Sequence, residues 1–285
     1  MTSKGNALLP KVVDQHKPNK PLVPNGLGVV YVLVSTIFLF LLHYFDYPGA
    51  LPLAGCVLFG GFMGLLDDWV DLRWRYKAFL PIFASLPLAV QREGATQMAT
   101  YVFGRIDFGI YFYLLIIPII VTITTNTVNQ LGGLNGLETI CPSIVMIGLM
   151  ITSPETDLLL LAPLIVCLIL AFLNFSGKIF VGNTGSFALG ITLASYAIIA
   201  NNEQALLISI LPYVFNSTLI LLTVFLSGKT AHLAFKESKL RADHRRSLLT
   251  LIAFYKPLSE RKLVLLVSLL VAVSTSTAIF VWWMW

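Results

Sequence analysis

Charge is scarce in this sequence. Only 12% of its 285 residues are Asp, Glu, Lys or Arg, whereas soluble domains carry about 25%. The hydrophobic share is 57% and the mean hydropathy is +0.83. These values exclude an ordinary soluble domain and indicate a polytopic membrane protein. A net charge of +5 is compatible with nucleic-acid binding, but in a chain of this composition it bears on membrane topology instead.

Cysteine is also scarce. The three cysteines, Cys56, Cys141 and Cys167, lie in hydrophobic runs without CxxC spacing, which argues against a disulfide framework or a zinc site. No cleavable signal peptide is expected, because residues 1–20 are polar and basic. The sequence has no tandem repeat, no low-complexity tract and no separate soluble domain, so the chemistry has to lie within or beside the membrane segments.

Long apolar runs, by contrast, are abundant. A bilayer is crossed by about 17 to 25 mostly apolar residues in a helix. The sequence predicts an all-α helix bundle of about nine transmembrane helices, preceded by a cytoplasmic segment at 1–25. The membrane-embedded domain is expected at 26–285, with one sizeable cytoplasmic loop at 227–262. The candidate spans are 26–45, 49–66, 108–128, 136–153, 157–174, 184–201, 204–226 and 263–285, with a shorter one at 77–91.

The distribution of basic residues predicts the orientation. If the N-terminus is cytoplasmic and each span crosses once, only Arg92 and Arg105 of the 19 Lys and Arg residues fall on the opposite side. This asymmetry is what the positive-inside rule requires. Polar loops that are distant in sequence then face one compartment, so they can share one site. These loops are 67–77, 129–135, 175–183 and 227–262.

A charged cluster at 64–77 separates two apolar runs. Asp67 and Asp68 are adjacent, and their repulsion is relieved by a proton, a metal ion or nearby cations. Carboxylates that cap a helix end at the water surface are the plain alternative. Cations that follow within ten residues favour a phosphate site, in which carboxylates hold Mg²⁺ and cations bind phosphoryl oxygens. These cations are Arg73, Arg75 and Lys77.

A second polar cluster spans 126–138, at the end of a strongly apolar helix. Asn126 and Asn129 are three residues apart and share one helix face. Hydrogen bonding between helices is one interpretation. Coordination of Mg²⁺ by a carboxamide oxygen beside a glycine-rich turn that admits a nucleotide is the other. Asn135 follows this turn.

Two further clusters have plain alternatives. In 180–186 a helix begins at a glycine-rich turn, where Asn183 or Thr184 serves as N-cap or the free amides bind phosphate. In 241–246 a run of basic residues forms either a solvated face in contact with lipid headgroups or a site for a sugar or a diphosphate. The residues of this second site are His244, Arg245 and Arg246.

In their order, these motifs resemble the polyprenyl-phosphate sugar-1-phosphate transferase superfamily. The resemblance rests on Asp67-Asp68, on 72–81, on 126–138 and on 180–182, and it covers about 14–285. The chain looks most like the UDP-GlcNAc–dolichyl-phosphate GlcNAc-1-phosphotransferases of eukaryotes and archaea. It lacks the histidine run that bacterial relatives carry in the last cytoplasmic loop, and 248–263 leads into the last helix as in the dolichyl enzymes.

The resemblance implies transfer of GlcNAc-1-phosphate from UDP-GlcNAc to a dolichyl or polyprenyl phosphate, with release of UMP, as the first step of N-glycan assembly. It implies that Asp67 activates the lipid phosphate and that Lys77 neutralises phosphoryl oxygens. The implied cofactor is Mg²⁺, with Mn²⁺ as a substitute. Its implied ligands are Asp68, Asn129 and Asn183.

The resemblance also implies the substrate contacts. Asn135 is expected to contact the uracil. The lipid tail is expected in a groove between helices, among membrane lipids. A homodimer is compatible with the sequence, and the membrane is either an archaeal plasma membrane or the endoplasmic reticulum membrane, with the active site on its cytoplasmic face. The other implied substrate-binding residues are Asn126, Arg73, Arg75, His244, Arg245 and Arg246.

Three departures from the family pattern leave other functions open. Asn183 occupies a position where the family places a metal-binding Asp, so Mg²⁺ should bind more weakly. Asn25 replaces a Glu of the dolichyl branch, and the family's first membrane helix has no counterpart. One alternative is a catalytically impaired homologue that binds nucleotide sugar or lipid. The other is a transporter of either, which the clustering of polar groups at one face disfavours.

Overall fold

A computed structural model of the protein describes residues 10–100, 104–228 and 230–284. Lys4 and Lys229, two of the basic residues in the orientation argument, and Trp285 of the last predicted span lie outside these ranges, as does the start of the 1–25 segment. Within them, the chain folds into a bundle of α-helices, which confirms the all-α prediction. The strands form only short two-stranded hairpins. The helices are α1 (Gly28–Tyr44), α2 (Ala50–Val70), α3 (Trp74–Phe79), α4 (Pro81–Ala84), α5 (Leu86–Gln91), α6 (Ile117–Gln130), α7 (Leu137–Thr152), α8 (Leu158–Phe175), α9 (Gly182–Ile199), α10 (Glu203–Ser209), α11 (Leu211–Ser227), α12 (Leu248–Tyr255) and α13 (Glu260–Trp283).

Four helical segments in the described residues are long and apolar enough to cross a membrane. A fifth is added if α10 and α11, which meet at a bend of 59°, form one broken span. Helices α1 and α7 are apolar but shorter. Together with the apolar composition, these segments make the protein a multi-pass membrane protein. The four segments are α2, the π-helical turn Phe112–Ile116 with α6, α8, and α13.

The predicted short span at 77–91 is divided among three helices. Pro81 and Pro87 lie at the first or second positions of α4 and α5. A proline has no amide hydrogen and clashes with the preceding turn, so it is favoured in the first turn of a helix and disfavoured further in. The three short helices of this segment therefore pack one after another against α2 and α6.

Helix α9 is the centre of the bundle, and almost all of its side chains are buried. Its small residues allow neighbouring backbones to approach closely, as is common between membrane helices. Gly185 lies against Gly28 of α1, and Gly190 lies against Thr125 of α6. Because α9 contacts α1, α2 and α6 along its length, the residues at its N-terminus meet the ends of these helices.

Three antiparallel hairpins close the ends of the bundle. Strand β1 (Lys11–Val13) pairs with β2 (Leu22–Pro24), and β2 leads to Phe180, whose amide donates to the carbonyl of Pro24 at 2.8 Å. Strands β3 (Gln97–Thr100) and β4 (Gly104–Asp107) lie at the opposite end, before α6. Strands β5 (Ala234–Lys236) and β6 (Lys239–Arg241) belong to the loop after α11. The first and third hairpins therefore lie at the end of the bundle where α9 begins.

Candidate active site

Asp67 and Lys77 form an ion pair at the end of α2. The Asp67 side chain is fully buried, and its Oδ1 accepts from Lys77 Nζ at 2.9 Å and from the amide of Leu72 at 3.0 Å. Its Oδ2 is buried without a hydrogen-bond partner among the described residues. A buried carboxylate oxygen without a donor is costly, so this atom is available for a proton, a metal ion or a ligand. Lys77 also lies 3.5 Å from Asp71, which is almost fully exposed.

Asp68 binds the N-terminus of α9. Its Oδ1 accepts from the amide of Asn183 at 2.9 Å, and its Oδ2 accepts from the amide and the hydroxyl of Thr184 at 2.9 and 2.7 Å. Amide groups at a helix N-terminus have no partner within the helix and attract negative charge. The N-cap position is Val181, so the interpretation that Asn183 or Thr184 caps this helix is wrong. The amides proposed for phosphate are engaged by Asp68.

Asn129 and Asn183 are joined directly. The Nδ2 of Asn129 donates to Asn183 Oδ1 at 3.1 Å and to Ser186 Oγ at 2.7 Å. Asn129 lies in the last turn of α6 and Asn183 in the first turn of α9, so this bond links the two helices at the same end of the bundle. Because Asp68 binds the amide of Asn183, the structure brings together the predicted metal ligands Asp68, Asn129 and Asn183.

Asn135 is held by two carboxylates from distant parts of the chain. Its Nδ2 donates to Asp14 Oδ2 at 2.8 Å and to Glu260 Oε1 at 2.9 Å, and its amide donates to Glu260 Oε1 at 3.0 Å. Lys17 Nζ lies 2.6 Å from Glu260 Oε2. Asp14, Asn135 and Glu260 are all buried. The Oδ1 of Asn135 has no partner among the described residues.

Asp14, His16 and Glu260 also form a group that could hold a metal ion. One ligand atom from each lies within 4.8 Å of the others. Glu260 is already neutralised by the ammonium of Lys17, and both carboxylates accept hydrogen bonds from Asn135. Lys17 therefore offsets one of the two carboxylate charges of this group within the chain.

A polar cavity opens beside these residues and has a volume of about 310 Å³. It contains Asp68 and Asn183 from the α2–α9 contact, together with Asn135 and Asp14. Glu138 also lines this cavity, and its Oε1 accepts from the amide of Gly133 at 3.1 Å. The residues that line the polar cavity are Val12, Val13, Asp14, Gln15, His16, Asn25, Asp68, Gly133, Asn135, Glu138, Phe180, Gly182 and Asn183.

An apolar cavity of about 480 Å³ lies on the other side of Asn129. Lys77, Asn126 and Asn129 line one part of it, and the rest includes the aliphatic side chains Ile123, Val214 and Leu221 together with threonine, serine and glutamine side chains of α6 and α11. The Nδ2 of Asn126 donates to the carbonyl of Ala78 at 3.1 Å, so this residue also links α6 to α3. The residues that line the apolar cavity are Trp74, Lys77, Ala78, Thr122, Ile123, Asn126, Thr127, Asn129, Gln130, Val214, Ser217, Thr218 and Leu221.

A third cavity, of about 310 Å³, adjoins the first two. This loop cavity shares Gln15, His16 and Gly133 with the polar cavity and Gln130 with the apolar cavity. Its remaining walls come from α11, from α12 and from the loop after α11. Polar segments that are far apart in sequence therefore meet at one end of the bundle.

His244 lies beside the loop cavity, and its ring is mostly buried. Its Nε2 accepts from the amide of His232 at 3.1 Å, which places the ring proton of the neutral form on Nδ1. The Nδ1 is buried without a partner among the described residues. Burial lowers the pKa of His244, and the charge of Arg246 lowers it further. The neutral ring thus has one donor available for a ligand.

The predicted arginines lie outside the linings of the three cavities. Arg245 stacks on the rings of Phe254 and Tyr255, at 4.5 and 4.9 Å from their centres. Arg246 donates to the carbonyl of Thr230 at 2.7 Å. Arg73 and Arg75 are exposed on the surface beside Trp74, and the guanidinium of Arg75 lies 5.8 Å from its ring. In this structure the arginines thus hold loop positions or face the surroundings.

Asp14, Lys17 and Glu260 are site residues that the sequence patterns did not indicate. Asp14 is the acidic residue of an otherwise basic segment, and Glu260 stands at the first position of α13 beside two cations. Both features were visible in the sequence. Their pairing through Asn135 was not, because 121 and 125 residues separate the partners.

The fold and the site define a multi-pass membrane protein with a polar and an apolar cavity that meet at one end. The sequence model of the family described as Glycosyl transferase family 4 matches residues 50–201. The chain therefore belongs to this family.

Three relatives illustrate the similarity. A protein of Saccharolobus solfataricus, named as a candidate UDP-N-acetylglucosamine–dolichyl-phosphate N-acetylglucosaminephosphotransferase, is 36% identical over 74% of this chain and 69% of its own. The Dictyostelium discoideum protein of that name is 30% identical over 68% of this chain and 59% of its own. A phospho-N-acetylmuramoyl-pentapeptide-transferase of Streptococcus uberis is 29% identical over 79% and 73%. The matched region thus leaves a substantial part of each relative uncovered.

Proposed function

We propose that the protein transfers GlcNAc-1-phosphate from UDP-GlcNAc to a dolichyl or other polyprenyl phosphate and releases UMP. The reaction takes place at the cytoplasmic membrane face and begins the assembly of a lipid-linked oligosaccharide for N-glycosylation. One observation carries the proposal: the hydrogen bond between Asn129 and Asn183 joins a residue of the apolar cavity to a residue of the polar cavity. A lipid phosphate and a nucleotide sugar can meet there.

The polar cavity is the proposed site of the nucleotide sugar. Asn135 presents a buried acceptor oxygen for the uracil. The free Nδ1 of His244 is a donor for a sugar or phosphate oxygen beyond it. Residues 10–25 line one wall of this cavity and 227–262 line the adjacent loop cavity. These two segments are the proposed cytoplasmic parts of the protein, and the membrane-embedded transferase domain extends from 26 onward.

The apolar cavity is the proposed site of the polyprenyl phosphate. Most of its exposed lining is apolar, with Trp74, Ile123, Val214 and Leu221 available to an isoprenoid chain, and Lys77 supplies the positive charge for the phosphate. An apolar tail gains free energy in proportion to the area that it buries. A cation at the mouth of such a cavity then holds the phosphate end of the lipid near the nucleotide sugar.

The proposed chemistry takes place beside Asp67 and Lys77. An oxygen of the lipid phosphate attacks the β-phosphorus of UDP-GlcNAc, and the bond from this phosphorus to the oxygen bridging it to the α-phosphorus breaks, so that UMP leaves. Asp67 can accept a proton from the lipid phosphate through its unpartnered Oδ2. Lys77 offsets the charge of two anions that are brought together.

A divalent cation fits the donors at this site. Asp68, Asn129 and Asn183 offer carboxylate and carboxamide oxygens, which are the ligands that Mg²⁺ and Mn²⁺ prefer. These three residues are the proposed holders, and the free Oδ2 of Asp67 is left to accept the proton. When bound, the cation neutralises pyrophosphate oxygens. A neutral amide at Asn183 should make its affinity lower than a carboxylate would.

Purified protein incubated with UDP-GlcNAc, Mg²⁺ and a polyprenyl phosphate tests the proposal through the release of UMP and the formation of lipid-linked GlcNAc. We expect product, and we expect Asp67→Asn to lower the rate at least about 100-fold, because it removes a positioned base and a charge. Asp71→Asn is the matched control. It removes a carboxylate that also faces Lys77 but is exposed, and it should change the rate only a few-fold.

Asn183→Asp gives a second measurement. The added carboxylate should lower the Mg²⁺ concentration needed for half-maximal rate. If the protein and its Asn183→Asp variant both bind UDP-GlcNAc and neither forms product, the transferase proposal is wrong and a binding homologue remains.

A further inference from the structure

We propose that a fourth cavity, at the end of the bundle opposite the candidate active site, binds the headgroup of a membrane phospholipid that carries both a phosphate and an ammonium group. This headgroup cavity has a volume of about 410 Å³. Arg105 of β4 and Glu203 at the start of α10 give it one positive and one negative charge. The proposal does not depend on the transfer reaction. The residues that line the headgroup cavity are Ala95, Gln97, Met98, Arg105, Thr152, Ala200, Asn201, Asn202, Glu203, Gln204 and Trp282.

The headgroup cavity lies where several helices end. Residues 200–202 follow α9, whose N-terminus is at the candidate active site, and Thr152 is the last residue of α7. Trp282 is in the last turn of α13, which is long and apolar enough to cross a membrane, and 43% of its surface is exposed. Tryptophan is enriched where membrane helices reach the level of the lipid headgroups. A phospholipid can therefore reach this cavity without leaving the bilayer.

Hydrogen bonds hold the walls of the headgroup cavity together. The Nδ2 of Asn202 donates to Thr152 Oγ1 and to Ser153 Oγ, both at 2.6 Å, and joins the turn between α9 and α10 to the end of α7. The Oδ1 of Asn201 accepts from the amide of Ala95, and joins the same turn to the segment before β3. Parts of the chain that are distant in sequence are thus fixed around one space, as a binding site requires.

The carboxylate of Glu203 lacks a compensating partner. Glu203 is only 6% exposed, and its Oε1 has no hydrogen-bond partner among the described residues. None of the ion pairs found in the described part of the chain includes it. A buried carboxylate is normally paired with a cation or bound to one. An ammonium group in the cavity supplies this partner, because Coulomb attraction acts across the cavity without a bond to one particular oxygen.

Arg105 supplies the opposite charge. Its side chain is exposed, and it forms no ion pair with another described residue. A guanidinium group binds phosphate oxygens through parallel N–H groups. A simple anion in this cavity would be repelled by Glu203, and a simple cation would be repelled by Arg105. A phosphoethanolamine headgroup carries both charges and therefore fits the cavity better than either.

Native mass spectrometry of the full-length protein in detergent tests the proposal. The protein is titrated with phosphatidylethanolamine or with phosphatidylglycerol of the same acyl chains, and the two dissociation constants are compared. Both lipids present a phosphate, but only the first presents an ammonium group. We expect phosphatidylethanolamine to bind at least about tenfold more tightly, as one charge-assisted contact provides. Equal affinities for the two lipids would overturn the proposal.

Two substitutions separate the roles of the charges. Glu203→Gln keeps the shape of the side chain, and it should lower the preference for phosphatidylethanolamine at least about fivefold, because one lipid loses an attraction and the other a repulsion. Arg105→Gln should weaken both lipids at least about fivefold and leave their ratio nearly unchanged, because both contain a phosphate. If Glu203→Gln does not fold, Arg105→Gln at its exposed position still tests the site, and unchanged binding by it contradicts the proposal.

Glu155→Gln is the matched control. Glu155 is an exposed acidic residue just beyond α7, at the same end of the bundle, and it does not line the headgroup cavity. Its replacement should leave both dissociation constants unchanged. A lipid preference that Glu203→Gln does not alter would place the bound lipid elsewhere and overturn the assignment. Soluble glycerophosphoethanolamine should bind at least about tenfold more weakly than the lipid, because it buries no acyl chain. Equal binding would indicate a soluble phosphorylated amine as the ligand and not a membrane lipid.

Discussion

Asp67 and Asp68 are neighbours in sequence, yet their carboxylates have different partners. Asp67 is paired with Lys77 and keeps one oxygen free, whereas Asp68 accepts three hydrogen bonds from Asn183 and Thr184. Consecutive residues of a helix point about 100° apart. One carboxylate therefore turns toward the next loop and the other toward α9, and the repulsion expected between them is relieved by different groups.

His244 gives a pH-dependent prediction at the residue scale. Burial lowers its pKa in the folded protein, while the unfolded chain keeps an ordinary value near 6.5. Above that value both states are neutral, and below it the unfolded state binds the proton more readily. Stability should therefore fall as the pH drops from about 6.5 toward the lowered pKa of the native ring. Melting temperatures in detergent between pH 8 and pH 5.5 measure this loss.

Comparison with His244→Gln isolates the contribution of this one residue. Gln can still accept from the amide of His232 but does not titrate, so the variant should lose less stability on acidification. The difference between the two proteins should be smallest at pH 8. Parallel melting profiles across the whole range would show that His244 does not cause the loss.

At the scale of elements, the contact between α2 and α9 places the carboxylates. Gly64 and Asp68 are four residues apart and lie on the same face of α2. A Cβ at Gly64 would collide with the backbone of Asn183 and Thr184. The absence of a side chain at Gly64 therefore allows α9 to begin close enough for its amides to reach Asp68.

Gly64→Ala should destabilise the protein and reduce its activity. Overpacking costs about 1–3 kcal/mol, which exceeds the roughly 1 kcal/mol that alanine gains over glycine in a helix. We expect a melting temperature several degrees lower and a clear loss of transfer rate, because Asp68 is moved away from α9.

Gly55→Ala on the same helix is the control for Gly64→Ala. Its added Cβ would meet only the ring of Pro87 on the short helix α5, at 3.1 Å. A small shift of α5 can accommodate this contact, so the melting temperature should stay within about 2 °C. If both substitutions lower the melting temperature equally, the close approach of α9 to Gly64 is not the cause of the destabilisation.

At the scale of the whole molecule, two cavities of different polarity meet at one end of the bundle. Leu221 lines the apolar cavity from α11. Leu221→Trp adds bulk inside this cavity, so the KM for polyprenyl phosphate should rise at least about tenfold. The KM for UDP-GlcNAc, which the polar cavity is proposed to bind, should not change. Steady-state kinetics with each substrate varied in turn provide the measurement.

Leu222→Trp provides the comparison for the apolar cavity. Leu222 is the next residue of α11, is about half exposed and is not part of the cavity lining. Its replacement should leave both KM values within a few-fold. A rise in both KM values with Leu221→Trp would indicate a general disturbance of α11 and would contradict separate sites for the two substrates.

The sequence by itself determined the class of the protein and the segments that carry its chemistry. Scarce charge and long apolar runs require helices that satisfy their own backbone groups in a membrane. The charged cluster at 64–77 and the asparagine-rich turn at 126–138 are conspicuous against this background, so their selection needs no coordinates. Proline positions could also have indicated that 77–91 is not one straight helix.

Only the tertiary structure decided which groups are partners. The hydrogen bonds from the α9 amides to Asp68 depend on how closely α2 and α9 pack. The hydrogen bonds from Asn135 to Asp14 and Glu260 join residues more than 120 positions apart. Local patterns report on neighbours in the chain, whereas hydrogen bonds between helix ends follow from the packing of the whole bundle. For this reason Asp14 and Glu260 emerge as parts of the site only in the folded protein.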